Sequence, residues 1–308
     1  MTLSDGADEA ALERTYNGLH PLDPATAEIM LKEAKVIMGQ LGVVFFLRQG
    51  TCLGAIRDNG FIPWDDDLDL GSVIGLHGLA AKSIDQVVSR VVTAFKDNGY
   101  YADVGGTDQY ISVAMIKSSI RMDWVCHRII GDSIFQYPGV RFPVKLFNEL
   151  KEIDFIGEKF LVPNPPEEYL RFKYGEDWMT PKESAYEKDV VRLIPEGPIS
   201  GNASRWRQFL IKHLLHSRTG RLRVFDQQGE PVPGAEVVIA GLSRSRTNMQ
   251  GYAKFYLPRD QDEYYALIIR YHNHEEVLYQ EKMSPGGSYV YRPDSSSPSG
   301  RFRALSQE

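Results

Sequence analysis

The stretch FIPWDDDLDLGS, residues 61–72, gathers Asp65, Asp66, Asp67 and Asp69 between an aromatic lead-in and a Gly-Ser stop. Leu68 and Leu70 alternate with Asp67 and Asp69, which predicts a strand, because successive side chains of an extended chain point to opposite faces. Asp67 and Asp69 then emerge together on one side. Two carboxylates that close raise each other's pKa unless a cation sits between them. Mg²⁺ or Mn²⁺ takes carboxylate oxygens and keeps positions open for substrate phosphates, so the stretch reads as a metal-phosphate site. Asp65 either shares that face or belongs to a turn after Pro63-Trp64, and Asp66 is expected to point away.

Upstream, Asp23 can cap a helix with Pro24 at its first position, and apolar residues at 29, 30, 34, 37, 38 and 41 recur at helical spacing before Gly42. VVFFLRQ (43–49) reads as a buried strand running into Gly50-Thr51, followed by a short helix in CLGAIRD and a turn at Asn59-Gly60. A strand, a small-residue pair, a short helix and a strand bearing Asp-x-Asp together resemble the plan of the nucleotidyltransferase superfamily. There the small pair lets backbone N–H groups approach a phosphate and the aspartates hold metal. That plan needs a third carboxylate from a neighbouring strand. In IRMDWVCHR (120–128), Asp123 shares a face with Arg121, Val125 and His127, opposite Met122, Trp124 and Cys126. A helix over 77–98 and strands near 100–104, 109–116, 120–127 and 133–137 complete a mixed-sheet α/β (α+β) domain.

From Arg141 the chain is dense in aromatics and prolines and reads as loops and short elements wrapping the sheet. SRWRQFLIKHLLHSR (204–218) carries Trp206, Phe209, Leu210, His213 and Leu214 on one helical stripe and predicts a docking helix at a domain change. Beyond it, short alternating strands separated by turn residues predict a small all-β sandwich. VFDQQGEPVPGAEV (224–237) and TNMQGYAKF (247–255) resemble carboxypeptidase regulatory-like, transthyretin-like domains. The expected organisation is a flexible N-terminus (1–22), a catalytic domain (23–203), a linker helix (204–220), the sandwich (221–293) and a flexible tail (294–308). A formal net charge of −6 offers no general field for nucleic acid. Two cysteines, Cys52 and Cys126, exclude a disulfide framework. With no apolar leader or run of about 18 apolar residues, the expected location is cytoplasmic.

RQGTCLGAIRDNGFIPWDDDLDLG (48–71), RMDWVCHR (121–128) and RFPVKLFNELKEIDFIGEKFLVPNPPEEYLRFKYGEDWMTP (141–181) together resemble the LicD family, which includes the fukutin-related proteins. The resemblance implies a nucleotidyltransferase-fold enzyme that moves a phosphocholine or phospho-alditol group from a CDP-activated donor to a sugar hydroxyl, releasing CMP. Carried over, Asp67, Asp69 and Asp123 are catalytic and hold Mg²⁺ or Mn²⁺, with Asp123 or Asp65 taking the hydroxyl proton. Gly50 and Thr51 are the phosphate-side pair, Arg57 a donor-phosphate partner, and Tyr174 and Gly175 part of the family's Y-G-x-x-W-M block. Trp64, Tyr174 and Trp178 are candidates for the walls of a choline cage, and packing explains these aromatics as well. Expected partners are the CDP-linked donor and a sugar or glycan acceptor; a lipid-linked acceptor would add a peripheral membrane contact. The rival expectations are a nucleotidyltransferase that releases pyrophosphate from an NTP, and a silent carbohydrate-binding or scaffold protein.

Overall fold

The computed structural model describes residues 7–16, 20–183, 186–194, 219–257, 263–294, 301–302 and 304–308. The chain divides into one unit of residues 1–135 with 141–179, and a second of 136–140 with 180–308. No helix among the described residues is long and apolar enough to cross a membrane.

In the first unit, α1 (Glu9–Thr15) precedes α2 (Pro24–Gln40), which Asp23 caps through Thr26 N. Strand β1 is only Phe46–Leu47; the expected strand over 43–49 is cut short because α3 (Gln49–Leu53) already starts at Gln49. A π-helical turn over Gly54–Asp58 follows, and left-handed Asn59 ends it. Next come β2 (Asp67–Val73), α4 (Ile84–Asp97), β3 (Tyr101–Gly106), β4 (Tyr110–Lys117) and β5 (Ile120–His127). α4 is shorter than the predicted 77–98, since only a 3₁₀ turn at Ala81–Ser83 precedes it. The sheet order is β1-β2-β5-β4-β3, with β2 and β5 parallel and the other neighbours antiparallel.

One face of this sheet is apolar: Leu68, Leu70, Met122, Trp124, Val113 and Met115 are fully buried. α4 offers Ile84, Val88, Val91 and Phe95 as a buried stripe and contacts β3, β4 and α2. The other face carries the aspartates. α1 packs there, with Ala11 and Leu12 clustered on Ile116. This corrects the expectation of a wholly flexible N-terminus: seven helical residues are too few for a clear periodic signal, yet Ala11 and Leu12 find a buried site.

After β5 the chain forms β6 (Ser133–Gln136), β7 (Val140–Pro143) and α5 (Lys145–Asn148). The region read as loops also holds a hairpin, β8 (Lys151–Phe155) and β9 (Glu158–Val162), turned by Ile156 and Gly157 at positive φ, and then α6 (Pro166–Tyr174). Tyr169 of α6 stacks on Phe142, and Phe46 packs on Phe147. These aromatics fasten α6 beside β1.

The second unit begins its described elements with α7 (Tyr186–Arg192); the helix expected over 204–218 lies outside the described residues. β10 (Thr219–Val224), β11 (Glu236–Ile239), β12 (Ser243–Arg246), β13 (Tyr252–Tyr256), β14 (Glu263–Tyr271), β15 (His274–Met283), β16 (Ser288–Tyr291), β17 (Arg301–Phe302) and β18 (Ser306–Gln307) build two sheets. Their orders are β13-β10-β16-β18 and β12-β11-β14-β15-β17. Leu222, Val224, Phe255 and Tyr289 from one sheet share a core with Val237, Ile269 and Leu278 from the other, as in a sandwich. The expected tail is corrected in part: β17 and β18 extend the two sheets, and buried Glu281 accepts the backbone N–H groups of Ala304 and Leu305 at 2.6 and 2.9 Å.

Candidate active site on the aspartate face

The parallel pairing of β2 with β5 sets Asp67 opposite Arg121 and Asp69 opposite Asp123. All four side chains lie on the face predicted from strand alternation. The Arg121 guanidinium binds Asp67 through Nη2, lies 3.5 Å from Asp66 Oδ2, and brings Nε to 3.3 Å from Asp123 Oδ2. Burial opposes its charge, while Asp67, Asp123 and Asp66 hold it protonated. The Tyr16 ring, just past α1, covers the guanidinium at 4.6 Å.

A second arginine holds Asp69. Arg48 directly follows β1 and is buried, with Nη2 at 2.8 Å from Asp69 Oδ1 and Nε donating to Leu70 O at 3.0 Å. Gly71 makes room for it, since a Cβ there would meet the Phe46 ring at 2.7 Å and Arg48 Cδ at 3.2 Å. Gln49 then adopts φ 42°, sparsely populated for a residue with a side chain, and donates its N–H to Tyr169 Oη at 3.0 Å. That bend delivers Gly50 N to 3.3 Å from Asp69 Oδ2 and lets Thr51 Oγ1 accept the Asp69 N–H at 2.8 Å. A Cβ at Gly50 would fall 2.3 Å from Asp65 Oδ2, so a larger residue there would have to displace that carboxylate.

Asp65, Asp66 and Asp67 each offer an oxygen within 4.8 Å of the others, the one such acid group among the described residues. Burial, followed by repulsion from Asp67, raises the Asp65 carboxyl well above the usual range. Asp66 is pushed up to about 7 by burial and by Asp67, against the pull of Arg121. Asp69 is pushed up to about 7 by burial, against the pull of Arg48. Asp123 is raised chiefly by burial as well. Crowded carboxylates held toward neutrality by burial and by one another fit a hard divalent cation, which takes oxygen ligands and would relieve the repulsion.

The expectation that Asp66 points away is corrected. β2 begins at Asp67, so strand alternation does not govern Asp66, and its carboxylate turns into the cluster. Arg57 forms two hydrogen bonds with the neighbouring Asp58, at 2.9 and 2.7 Å. Trp64 and Tyr174 are half-buried and Trp178 is buried. Gly175 ends α6 at φ 90°.

The YG block also contributes Lys173, which the sequence reading missed. It is almost wholly buried, and burial, then the nearby Arg48, push its amine down to about 7, while Asp69 pulls the other way. Arg48 was missed likewise. His127, also on this face, is buried, with Nδ1 at 3.0 Å from Phe135 O; burial pushes it down to about 3.

Comparison with known proteins places a family on this geometry. A family model described as "LicD/FKTN/FKRP, nucleotidyltransferase domain" matches residues 42–165, the stretch that holds Asp67, Asp69 and Asp123. The chain is 26% identical over 187 residues to the protein "Ribitol-5-phosphate transferase FKTN" of Homo sapiens, covering 57% of this chain and 38% of the relative. Its counterpart in Mus musculus is 25% identical over 186 residues, covering 56% and 38%. A protein of Rickettsia prowazekii (strain Madrid E), "Uncharacterized protein RP689", is 38% identical over 42 residues, 14% of this chain and 16% of that one. The chain thus spans about two-fifths of the length of the fukutin relatives it matches.

Proposed function

We propose that residues 42–165 form a LicD-family domain that works as a metal-dependent transferase, moving a substituted phosphate group from a CDP-activated donor to a sugar hydroxyl and releasing CMP. The observation that carries this reading is the convergence of Asp65, Asp66 and Asp67 within 4.8 Å beside the facing pair Asp69 and Asp123. Asp67, Asp69 and Asp123 would hold Mg²⁺ or Mn²⁺, with Asp65 and Asp66 at its border. A cation bound there would offset the charge of the donor diphosphate.

The chain's own residues do the rest. Arg48 keeps Asp69 fixed, and Gly50 and Thr51 brace that carboxylate and its backbone. The acceptor oxygen attacks the phosphorus distal to cytidine; its bond to that phosphorus forms as the bond to the CMP oxygen breaks, and the electron pair leaves on CMP. Of the three proposed ligands, Asp123 has the most exposed side chain, 22% against 13% for Asp67 and 9% for Asp69. That exposure suits Asp123 to meet the acceptor hydroxyl and take its proton.

For the transferred group we favour an alditol phosphate, on the support of relatives named for ribitol-5-phosphate transfer. Phosphocholine would call for open aromatic walls, and Trp178 is buried. Incubation with CDP-ribitol, CDP-glycerol or CDP-choline, a mixed sugar acceptor and Mg²⁺ tests the proposal. CMP release supports it; pyrophosphate from CTP with no CMP from any CDP donor would replace it with nucleotidyl transfer.

A further inference from the structure

The two sheets of the second unit treat their outward cations differently. On the five-stranded sheet Arg244 and Arg270 are matched by acids. Glu236 binds Arg244 at 2.5 Å and Arg270 at 3.2 Å, while Glu275 binds Arg270 at 2.7 Å, Arg192 at 2.6 Å and Lys188 at 3.4 Å.

On the four-stranded sheet the cations lie on rings. Leu222 and Val224 of β10 face the core, so Arg221, Arg223 and then Phe225 follow one another on the outward side. Arg221 lies 5.2 Å from the centre of the Tyr252 ring and Arg223 5.0 Å from the same ring. Arg223 is also 4.7 Å from Phe225, which Arg292 approaches at 4.3 Å. The result is a continuous ladder, Arg221, Tyr252, Arg223, Phe225, Arg292. Lys254 lies opposite Arg221 in the β10–β13 register and is exposed. Glu308 meets the Arg221 end at 3.2 Å. Among the described residues, neither Arg223 nor Lys254 has a carboxylate within ion-pair distance.

A chain of net charge −6 therefore concentrates positive charge on one sheet face. Stacking on a ring fixes each guanidinium plane, as do the hydrogen bonds that Arg221 Nε donates to Ser288 Oγ at 2.9 Å and Arg223 Nε to Gln250 O at 3.2 Å, so less freedom is lost when the remaining N–H groups meet an oxyanion. Arg221 and Arg223 stand two residues apart on a strand, about 7 Å, a row suited to successive anionic groups. The ligand is read by charge rather than by stacking, because the rings are already covered: Phe225 is buried and guanidinium groups lie over both rings. Single-stranded nucleic acid uses open aromatic faces and fits less well.

We propose that the outward face of the four-stranded sheet, through Arg221 and Arg223 with Lys254 at its edge, binds an anionic, phosphate-bearing glycan. The choice of a glycan rests on the transferase reading above; the anionic chemistry rests on the ladder alone.

The test is binding by the full chain to phosphorylated dextran, with unmodified dextran and oligo(dT) alongside, at about 50 mM and about 200 mM salt. The variants are Arg223→Gln and Arg221→Gln/Arg223→Gln, with Arg244→Gln on the other sheet as control and melting temperature recorded for each. The expected result is phosphodextran binding that weakens at higher salt, falls about tenfold or more in the double variant, and changes less than about twofold in the control. Failure of phosphodextran to bind, unchanged binding in the double variant, an equal loss in the control, equal affinity for unmodified dextran, or tighter binding of oligo(dT) would overturn it. Because the readout is binding, a chain that binds phosphodextran as expected but releases no CMP supports this inference while removing the transferase reading.

Discussion

Arg48 and Asp69 form a buried ion pair at 2.8 Å, their side chains 6% and 9% exposed, at the point where β1 turns into α3. Removing Arg48 leaves the buried Asp69 carboxyl without its counter-charge, so it either stays charged out of water or takes up a proton. Arg48→Met is therefore expected to lower unfolding free energy by about 3–5 kcal/mol, read by urea denaturation. Arg48→Met/Asp69→Leu should recover part of that loss, since both charges are then gone. A single variant as stable as the parent would contradict the role given to this pair.

Asp67→Asn, Asp69→Asn and Asp123→Asn are each expected to reduce CMP release by on the order of a hundredfold or more, because each removes a candidate cation ligand from the reacting face. The fold should survive, with Asp69→Asn showing the larger stability loss owing to Arg48. Near-parental turnover in any of the three, at matched Mg²⁺ and with a native melting curve, would remove that residue from the site.

Much of this arrangement could be read from residue order. Alternation grouped Asp67 with Asp69 and Asp123 with Arg121, and the β2–β5 register brings the two groups onto one face. Alternation failed at Asp66 because it lies before the strand begins. Arg48 ends an apolar run, FFLR, and Lys173 falls on the buried stripe of α6 with Tyr169 and Leu170. A charge in an apolar stripe signals a buried partner, but which acid it meets depends on strand pairing distant in sequence. The two-residue strands β17 and β18 are too short for any periodic signal.

Mg²⁺ should stabilise the protein by relieving repulsion among Asp65, Asp66, Asp67, Asp69 and Asp123. At about a hundred times the dissociation constant the gain is about 2.7 kcal/mol. Differential scanning calorimetry with and without Mg²⁺ reads it directly, and Asp67→Asn should blunt the response. Equal melting temperatures at saturating Mg²⁺ would argue against a cation site.

His127 gives the metal-free protein an acid limb. Burial pushes its folded pKa down to about 3, below the ordinary imidazole value of 6.5, so the unfolded chain takes up the proton first. Its contribution is fully present above about pH 6.5 and is lost as pH falls toward 3, with a slope of at most about 1.4 kcal/mol per pH unit. His127→Asn has no titrating ring, and stability measured between those pH values should fall less steeply. Parallel curves for parent and variant would show that His127 is not the group responsible.

The central claim is tested most directly by identifying the nucleotide released when the full chain is incubated with Mg²⁺, a mixed sugar acceptor and, separately, CDP-ribitol, CDP-glycerol, CDP-choline or CTP. The account predicts CMP, greatest from a CDP-alditol, dependent on Mg²⁺ and lost in Asp67→Asn. Pyrophosphate from CTP, with no CMP from any CDP donor, would contradict it.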